Sequence, residues 1–209
     1  MINIAVAKGR VCDKTIELLA ASGITFETPN KRALVLYDQN KTVSLTMVKG
    51  PDVATYVENS VADIGIVGKD ILDEKDYDVY EILDLGIGKC KMCLAGFTGS
   101  SIDQFESVII ASKYPNQALK YLKTLGKSGR VIKLEGSVEL GPIVGISNFI
   151  VDIVETGRTL VENNLTVLDE ISDVSTRVIA NKVTYKTKNK EIEFLIQSLK
   201  NEGVKSWKL

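Results

Sequence analysis

The sequence contains no histidine among its 209 residues. That absence excludes a Ser-His-Asp triad, a Cys-His dyad, a histidine-ligated zinc and a histidine general base. The three cysteines are an odd number and too few for a disulfide framework. No hydrophobic run approaches the ~18 residues of a membrane-spanning helix. The stretch from Met1 to Lys8 lacks the basic segment and apolar core of a secretory signal, so a reduced, cytoplasmic protein is expected. Neither charge is in excess. The 26 Lys and Arg stand against 27 Asp and Glu, which gives no reason to expect a nucleic-acid or membrane surface. Chemistry must then run on carboxylates, Lys, Arg, hydroxyls, backbone amides or a bound metal.

What is present is enough for a packed core, since 44% of the residues are hydrophobic and 25% charged. Apolar periodicity alternates between strand and helix. Ile2–Ala7 reads as a strand, and Asp13–Ser22 as a helix with Asp13 as N-cap and Gly23 as terminator. Ala33–Tyr37 and Thr42–Val48 flank a turn and suggest a hairpin. Pro51 opens a helix, Ala62–Val67 and Val79–Leu85 are strands, and a helical turn spans Asp70–Glu74. After Gly86-Ile87-Gly88 a second alternating block runs from Cys90 to Ile171. Arg177–Ala180 is extended, and Lys190–Asn201 has helical periodicity. This pattern predicts an α/β protein with mostly parallel sheets, in two lobes around a central cleft. Periodicity leaves open which lobe the last helix joins.

Familiar phosphate motifs fail on inspection. Gly126-Lys127-Ser128 resembles the end of a P-loop, but Tyr121 stands where its first glycine belongs, and the segment ends a helix instead of opening one. Gly86-Ile87-Gly88 has Lys91 in place of a third dinucleotide-binding glycine. Cys90 and Cys93 form a CxxC in an extended run, where positions i and i+3 point to opposite faces, and no second pair completes a zinc site.

The strongest signal is the segment from Phe149 to Leu160. An apolar strand ends in Asp152 and Glu155, and Thr156-Gly157-Arg158-Thr159 then enters a helix. Exposed N–H groups at a helix start favour an anion, and a glycine lets backbone approach it closely. Thr156 and Thr159 add hydroxyl donors, and Asp152 or Glu155 can accept from sugar hydroxyls. The plainer alternative is a threonine cap on an ordinary tight turn.

This arrangement resembles the loop by which phosphoribosyltransferases hold 5-phosphoribosyl-1-pyrophosphate (PRPP). It departs from the commonest form, which has adjacent acids and a second glycine where Arg158 stands. Further stretches match one family in order: Ala7-Lys8-Gly9-Arg10, Lys31-Arg32-Ala33-Leu34, Ala62–Asp70, Ser112-Lys113-Tyr114-Pro115, Glu135–Leu140 and Asp152–Leu165. Together they resemble the short form of the ATP phosphoribosyltransferase family, which catalyses the first step of histidine biosynthesis.

The resemblance implies a two-lobed fold like the type II periplasmic binding proteins. Lobe I would comprise residues 1–87 and 179–209, which places the last helix there, and lobe II residues 88–178 with the PRPP loop. It also implies ATP and PRPP as substrates and Mg²⁺ as cofactor, held mainly by substrate phosphates. Arg10, Arg32 and Lys8 become the expected catalytic residues on the pyrophosphate side. Asp152, Glu155, Thr156, Gly157, Arg158, Thr159 and Glu139 are expected to bind PRPP. Gly9, Arg10, Gly68 and Asp70 are expected to bind ATP, although Asp70 reads equally as a helix cap. Lys113 and Tyr114 are expected to be structural or to lie at a lobe edge, and Trp207 to pack.

About 30 residues follow Ile179, so histidine feedback is expected to reside in a separate subunit. By resemblance that subunit is like a histidyl-tRNA synthetase, and the assembly is a hetero-oligomer. A non-catalytic solute-binding module on the same architecture is the main rival. It predicts a secretion signal or a lipoprotein cysteine, and neither is seen.

Overall fold

The computed structural model describes residues 1–27 and 33–200. In chain order the first elements are β1 (Ile2–Ala7), α1 (Arg10–Ala21), β2 (Val35–Tyr37), β3 (Val43–Val48), α2 (Gly50–Glu58), β4 (Ile64–Gly68), α3 (Lys69–Glu74) and β5 (Val79–Asp84). Then follow β6 (Cys90–Phe97), β7 (Ser107–Ser112), α4 (Pro115–Thr124), β8 (Ser128–Lys133), α5 (Leu140–Ile143), β9 (Phe149–Val154), α6 (Arg158–Glu162) and β10 (Leu165–Val174). The chain closes with β11 (Thr176–Asn181), α7 (Lys182–Thr187) and α8 (Asn189–Lys200).

The described residues form two compact units, one from Met1–Leu72, Asp76–Gly88 and the stretch from Ser175 onward, the other from Asp73–Lys75 and Lys89–Val174. The first holds a six-stranded sheet ordered β2-β3-β1-β4-β11-β5, the second a five-stranded sheet ordered β10-β6-β9-β7-β8. The chain rejoins the first sheet at Thr176, opposite Gly68, ahead of the expected return at residue 179. An apolar count cannot place that crossing, because β10 and β11 are separated by Ser175 alone.

The sheets are mixed, which corrects the expectation of mostly parallel pairing. β1 runs parallel to β3 and β4, and β7 parallel to β8 and β9. The hairpin strand β2, the returning strand β11, and β6 with β10 pair antiparallel. β2 pairs as a hairpin with β3, whereas β6 and β11 each follow a crossing between the units, and period-2 patterning carries no record of strand direction.

The first sheet is covered on both faces. Ile4, Leu45, Ile64, Ile66 and Val178 share one cluster with Leu19 of α1 and Ile192, Leu195 and Leu199 of α8. Ala5, Val67 and Ile179 share another with Val53 and Val57 of α2. Alternate residues of one strand thus feed two cores, which is why β1 reads as nearly continuous apolar sequence. α8 is fastened further by Lys188, whose ammonium lies 3.0 Å from both oxygens of the buried Asp63. α4 ends in a Schellman turn: Lys127 N–H donates to Leu122 O and Gly126 N–H to Lys123 O, with Gly126 at φ 64°. The lysine and serine after that glycine therefore belong to a helix stop.

Candidate active site

In the first unit the parallel strands β1, β3 and β4 all end at one edge of the sheet. Ala7 pairs with Val48, and the next residue, Lys8, donates its N–H to Val48 O at 2.9 Å. Lys8, Gly9 and Arg10 are exposed at the end of β1. α1 begins at Arg10 with Gly9 as N-cap at φ 90°, so the helix starts one turn before the expected Asp13. Asp13 falls in the first turn instead, where it complements the helix dipole. The positive φ at Gly9 makes the early start possible, and a side chain's absence leaves open space beside it.

At the neighbouring strand end β4 passes directly into α3 through Gly68, Lys69 and Asp70. Asp70 is only 8% exposed. Its carboxylate lies over Gly68, where an added Cβ would stand 2.1 Å from Asp70 Oδ1. Gly68 therefore has a packing reason to be glycine. Asp63 and Asp70 flank the two ends of β4: Asp63 accepts the Asn3 N–H at 2.8 Å and fastens Lys188, far from the edge that carries Asp70. The Ala62–Asp70 stretch thus divides into a structural half and a half at the candidate site.

Two cations at this edge were not signalled by motif. Lys49 is the exposed N-cap position of α2, and Lys69 opens α3 and pairs with Glu81 at 3.1 Å. Only the side-by-side placement of β3, β1 and β4 brings them to the edge of Lys8 and Arg10. Arg32 and Trp207 lie outside the described residues.

In the second unit the strand, turn and helix of the Thr-Gly-x-Thr segment form as expected. β9 ends at Val154, Gly157 is the N-cap of α6 with φ 71° and ψ 2°, and α6 starts at Arg158. Glu155, Thr156, Arg158 and Thr159 are exposed. The Thr156 hydroxyl accepts the Arg158 N–H at 3.5 Å, and no described residue bonds the Thr159 hydroxyl. Arg158 directs its Nε to Glu162 at 2.9 Å, an exposed pair that contributes little stability. Asp152 sits within β9, where its Oδ1 accepts the N–H of Ile153 at 2.8 Å. Val138 and Leu160 belong to one buried cluster with Ala111, Ile150 and Leu165. That cluster brings their chain neighbours Glu139 and Thr159 to the same part of the unit.

Behind this loop Ser112 acts as a lock. Its hydroxyl donates to Val151 O at 2.6 Å and accepts the Tyr114 N–H at 2.8 Å. Tyr114 is 1% exposed and Lys113 lies over its ring, which fits their expected structural part. Cys93 is buried against Lys91 O. Burial first, and then the charge of Glu170, pushes its thiol above the ordinary value, which disfavours the thiolate. The candidate residues therefore gather in two sets: Lys8, Gly9, Arg10, Gly68 and Asp70 in the first unit, and Glu139, Asp152 and 155–159 in the second.

A family model described as HisG, ATP phosphoribosyltransferase, matches residues 49–201. This chain belongs to the ATP phosphoribosyltransferase family. An ATP phosphoribosyltransferase of Oceanobacillus iheyensis is 47% identical over 200 residues, covering 95% of this chain and 96% of that protein. One from Brachyspira hyodysenteriae is 48% identical over 202 residues, covering 95% and 98%. Among solved structures, the ATP phosphoribosyl transferase (HisG:HisZ) complex from Thermotoga maritima aligns with a TM-score of 0.84 at 39% identity, covering 95% of this chain and 96% of that one. The alkanesulfonate-binding protein SsuA from Xanthomonas axonopodis pv. citri, bound to MOPS, aligns with a TM-score of 0.58 at 11% identity, covering 95% and 71%. The second likeness concerns fold alone, and it bears out the two-lobed, periplasmic-binding-protein-like α/β architecture. The activity is that of the family, an ATP phosphoribosyltransferase at the first step of histidine biosynthesis.

Proposed function

We propose that the two sets of residues divide this reaction between them. The chain transfers the 5-phosphoribosyl group of PRPP to N1 of the ATP adenine and releases pyrophosphate. The observation that carries this reading is the loop at 155–159, in which a left-handed Gly157 opens a helix between two exposed threonines. It holds the 5-phosphate of PRPP as a remote handle that orients C1. Asp152 and Glu139 serve the same substrate near its ribose.

Adenine N1 already carries a lone pair, so the attack needs no strong base, which suits a chain without histidine. The groups that need stabilising are a cationic, oxocarbenium-like ribose and an anionic leaving group. Lys8, Arg10 and Arg32 meet the leaving pyrophosphate, with Arg preferred because its planar fork can hold two oxygens. Lys49 and Lys69 extend the same cationic edge. Gly9, Arg10, Gly68 and Asp70 receive ATP.

Mg²⁺ is the cofactor in this reading, held mainly by substrate phosphates. Among the described residues no group of three His, Cys, Asp or Glu could cage a metal, and Mg²⁺ commonly keeps phosphate and water ligands. When bound it supplies further neutralisation of the leaving group's charge. In this reading the unit of Met1–Leu72, Asp76–Gly88 and the stretch from Ser175 takes ATP, and the unit of Asp73–Lys75 and Lys89–Val174 takes PRPP. No described helix is long and apolar enough to cross a membrane; in this reading the chain works in the cytoplasm, as suits a histidine-biosynthesis enzyme family. The HisG:HisZ complex of Thermotoga maritima supports a hetero-oligomer with a second subunit; in this reading, on the family resemblance, that subunit is like a histidyl-tRNA synthetase and confers histidine feedback.

The test mixes the full chain with ATP, PRPP and Mg²⁺, with and without that subunit. It follows the absorbance of the N1-substituted adenine and the release of pyrophosphate. Formation of both products supports the assignment. Neither product under either condition, with both substrates bound, sinks it in favour of a catalytically silent subunit.

A further inference from the structure

Asp84 ends β5, close to the places where the chain leaves the first unit after Gly88 and returns to it at Ser175. Its Oδ1 accepts the Gly86 N–H at 2.8 Å and the Ser175 hydroxyl at 2.8 Å. Its Oδ2 pairs with Arg177 at 3.2 Å. One carboxylate therefore grips the outgoing segment, the returning segment and the strand that follows. The two segments are also laced directly: Thr176 N–H donates to Ile87 O at 3.0 Å, and Leu85 N–H to Thr176 O at 2.9 Å.

Ser175 carries this fixation onward. Its carbonyl accepts the Lys69 N–H at 2.9 Å, and Lys69 stands between Gly68 and Asp70. A short hydrogen-bonded path thus leads from Asp84 through Ser175 to the β4–α3 turn. A second path runs through side chains, because Glu81 pairs with both Lys69 at 3.1 Å and Arg177 at 3.4 Å.

Arg177 argues that the network does more than hold the fold. It is 9% exposed and its Nε–H is buried without a partner. A buried guanidinium with an unpaired donor costs stability that an apolar residue of similar size would not. A network kept for stability alone has no use for that cost, whereas one that must fix a backbone turn does.

We propose that Asp84 is a positioning residue of the reaction: through Ser175 it holds the Gly68–Asp70 turn in the geometry that receives ATP. The proposal rests on the reading that this turn contacts ATP. It assigns Asp84 and Ser175 no contact with substrate.

The experiment is ATP and PRPP titration calorimetry with steady-state kinetics on the full chain, for Ser175→Ala, Asp84→Ala, Asp84→Asn and Asp70→Asn. Ser175→Ala deletes the hydroxyl bonded to Asp84 and should weaken ATP binding up to roughly tenfold, the scale of one ordinary hydrogen bond. PRPP affinity and kcat at saturating ATP should stay near wild type. Asp84→Ala should match or exceed it. Asp84→Asn keeps an acceptor for Gly86 and Ser175 and should restore ATP affinity to within about threefold of wild type, a difference below 1 kcal/mol. This Asn-against-Ala comparison, on variants folded by circular dichroism, carries the test should Ser175→Ala not fold. Equal loss of ATP and PRPP binding, or no rescue by Asn, overturns the proposal. So does weakened ATP binding in Asp70→Asn with wild-type binding in Ser175→Ala and Asp84→Ala. Wild-type ATP affinity in Asp70→Asn instead removes the reading beneath it.

Discussion

Thr159→Ala is the perturbation that most directly tests the phosphate loop. The side chain is exposed, and no described residue bonds its hydroxyl, so the unliganded protein loses nothing when it is removed. Only its backbone carbonyl is engaged, by Asn163 Nδ2 at 2.8 Å, and alanine keeps that bond. Stability should therefore change by no more than about 0.5 kcal/mol. In the complex the hydroxyl donates to a charged phosphate, a bond of roughly 1.5–3 kcal/mol. PRPP affinity should fall about 10- to 150-fold, at ~1.4 kcal/mol per tenfold, while ATP affinity stays constant. Gly157→Val should do at least as much damage. Its cause is conformational, since the nearest atom to an added Cβ, Val154 Cγ1, is at an unstrained 3.7 Å. At φ 71° a β-branched residue is an outlier costing at least ~1–2 kcal/mol, so the turn should rearrange and the cradle be lost. Cys90→Ala is the control, expected to leave both affinities near normal. Titration calorimetry of PRPP and ATP against each folded variant decides it. Wild-type PRPP binding in both Thr159→Ala and Gly157→Val would place the phosphate elsewhere.

Arg10→Ala should lower kcat more than it weakens PRPP binding, because the pyrophosphate gains charge in the transition state, and Arg10→Lys should restore only part of the rate. Unchanged turnover at saturating substrates removes Arg10 from the mechanism, and the same measurement on Arg32→Ala tests its partner. Asp38 should make the β2–β3 hairpin acid-sensitive. Burial alone would raise its pKa, but hydrogen bonds from the Val43, Asn40 and Thr42 N–H groups and the Thr42 hydroxyl outweigh it and hold the value below the ordinary carboxylate range. The lowered folded value means that this stabilisation is complete above the unfolded value of about 4 and is lost as pH falls through the folded one. Chemical denaturation of Asp38→Ala should show a loss of roughly 1.5–3 kcal/mol at neutral pH that shrinks at low pH, and a loss independent of pH refutes the assignment. The chain without its regulatory subunit should be insensitive to histidine in the adduct assay, and strong inhibition of the isolated chain contradicts a separate feedback subunit.

The sequence by itself determined the local chemistry. Absent histidine excluded whole classes of mechanism, and alternating apolar periods located nearly every strand and helix, because side-chain burial repeats at 2.0 and 3.6 residues whatever the rest of the fold does. β6 at Cys90–Phe97 and α4 from Pro115 stand where that periodicity predicts them. The Thr156–Thr159 turn was legible for the same reason: a glycine at positive φ between two hydroxyls is a local instruction. The start of α1 was misplaced because Asp13 imitates a helix cap, although the first turn already sets buried Cys12 and partly buried Val11 against the core. α7 was invisible, since its six residues are too short to show a helical period and bury no side chain. Tertiary structure alone decided strand direction, the return of the chain at Thr176 and the partners of charged groups. Asp63 and Asp70 lie seven positions apart in one stretch, yet one fastens the closing helix and the other lies over Gly68. Nor does any local pattern link Asp84 to Ser175, 91 positions away, or bring Lys49 beside Lys8. Pairing of distant strands sets those contacts, and a one-dimensional pattern carries burial but not neighbours.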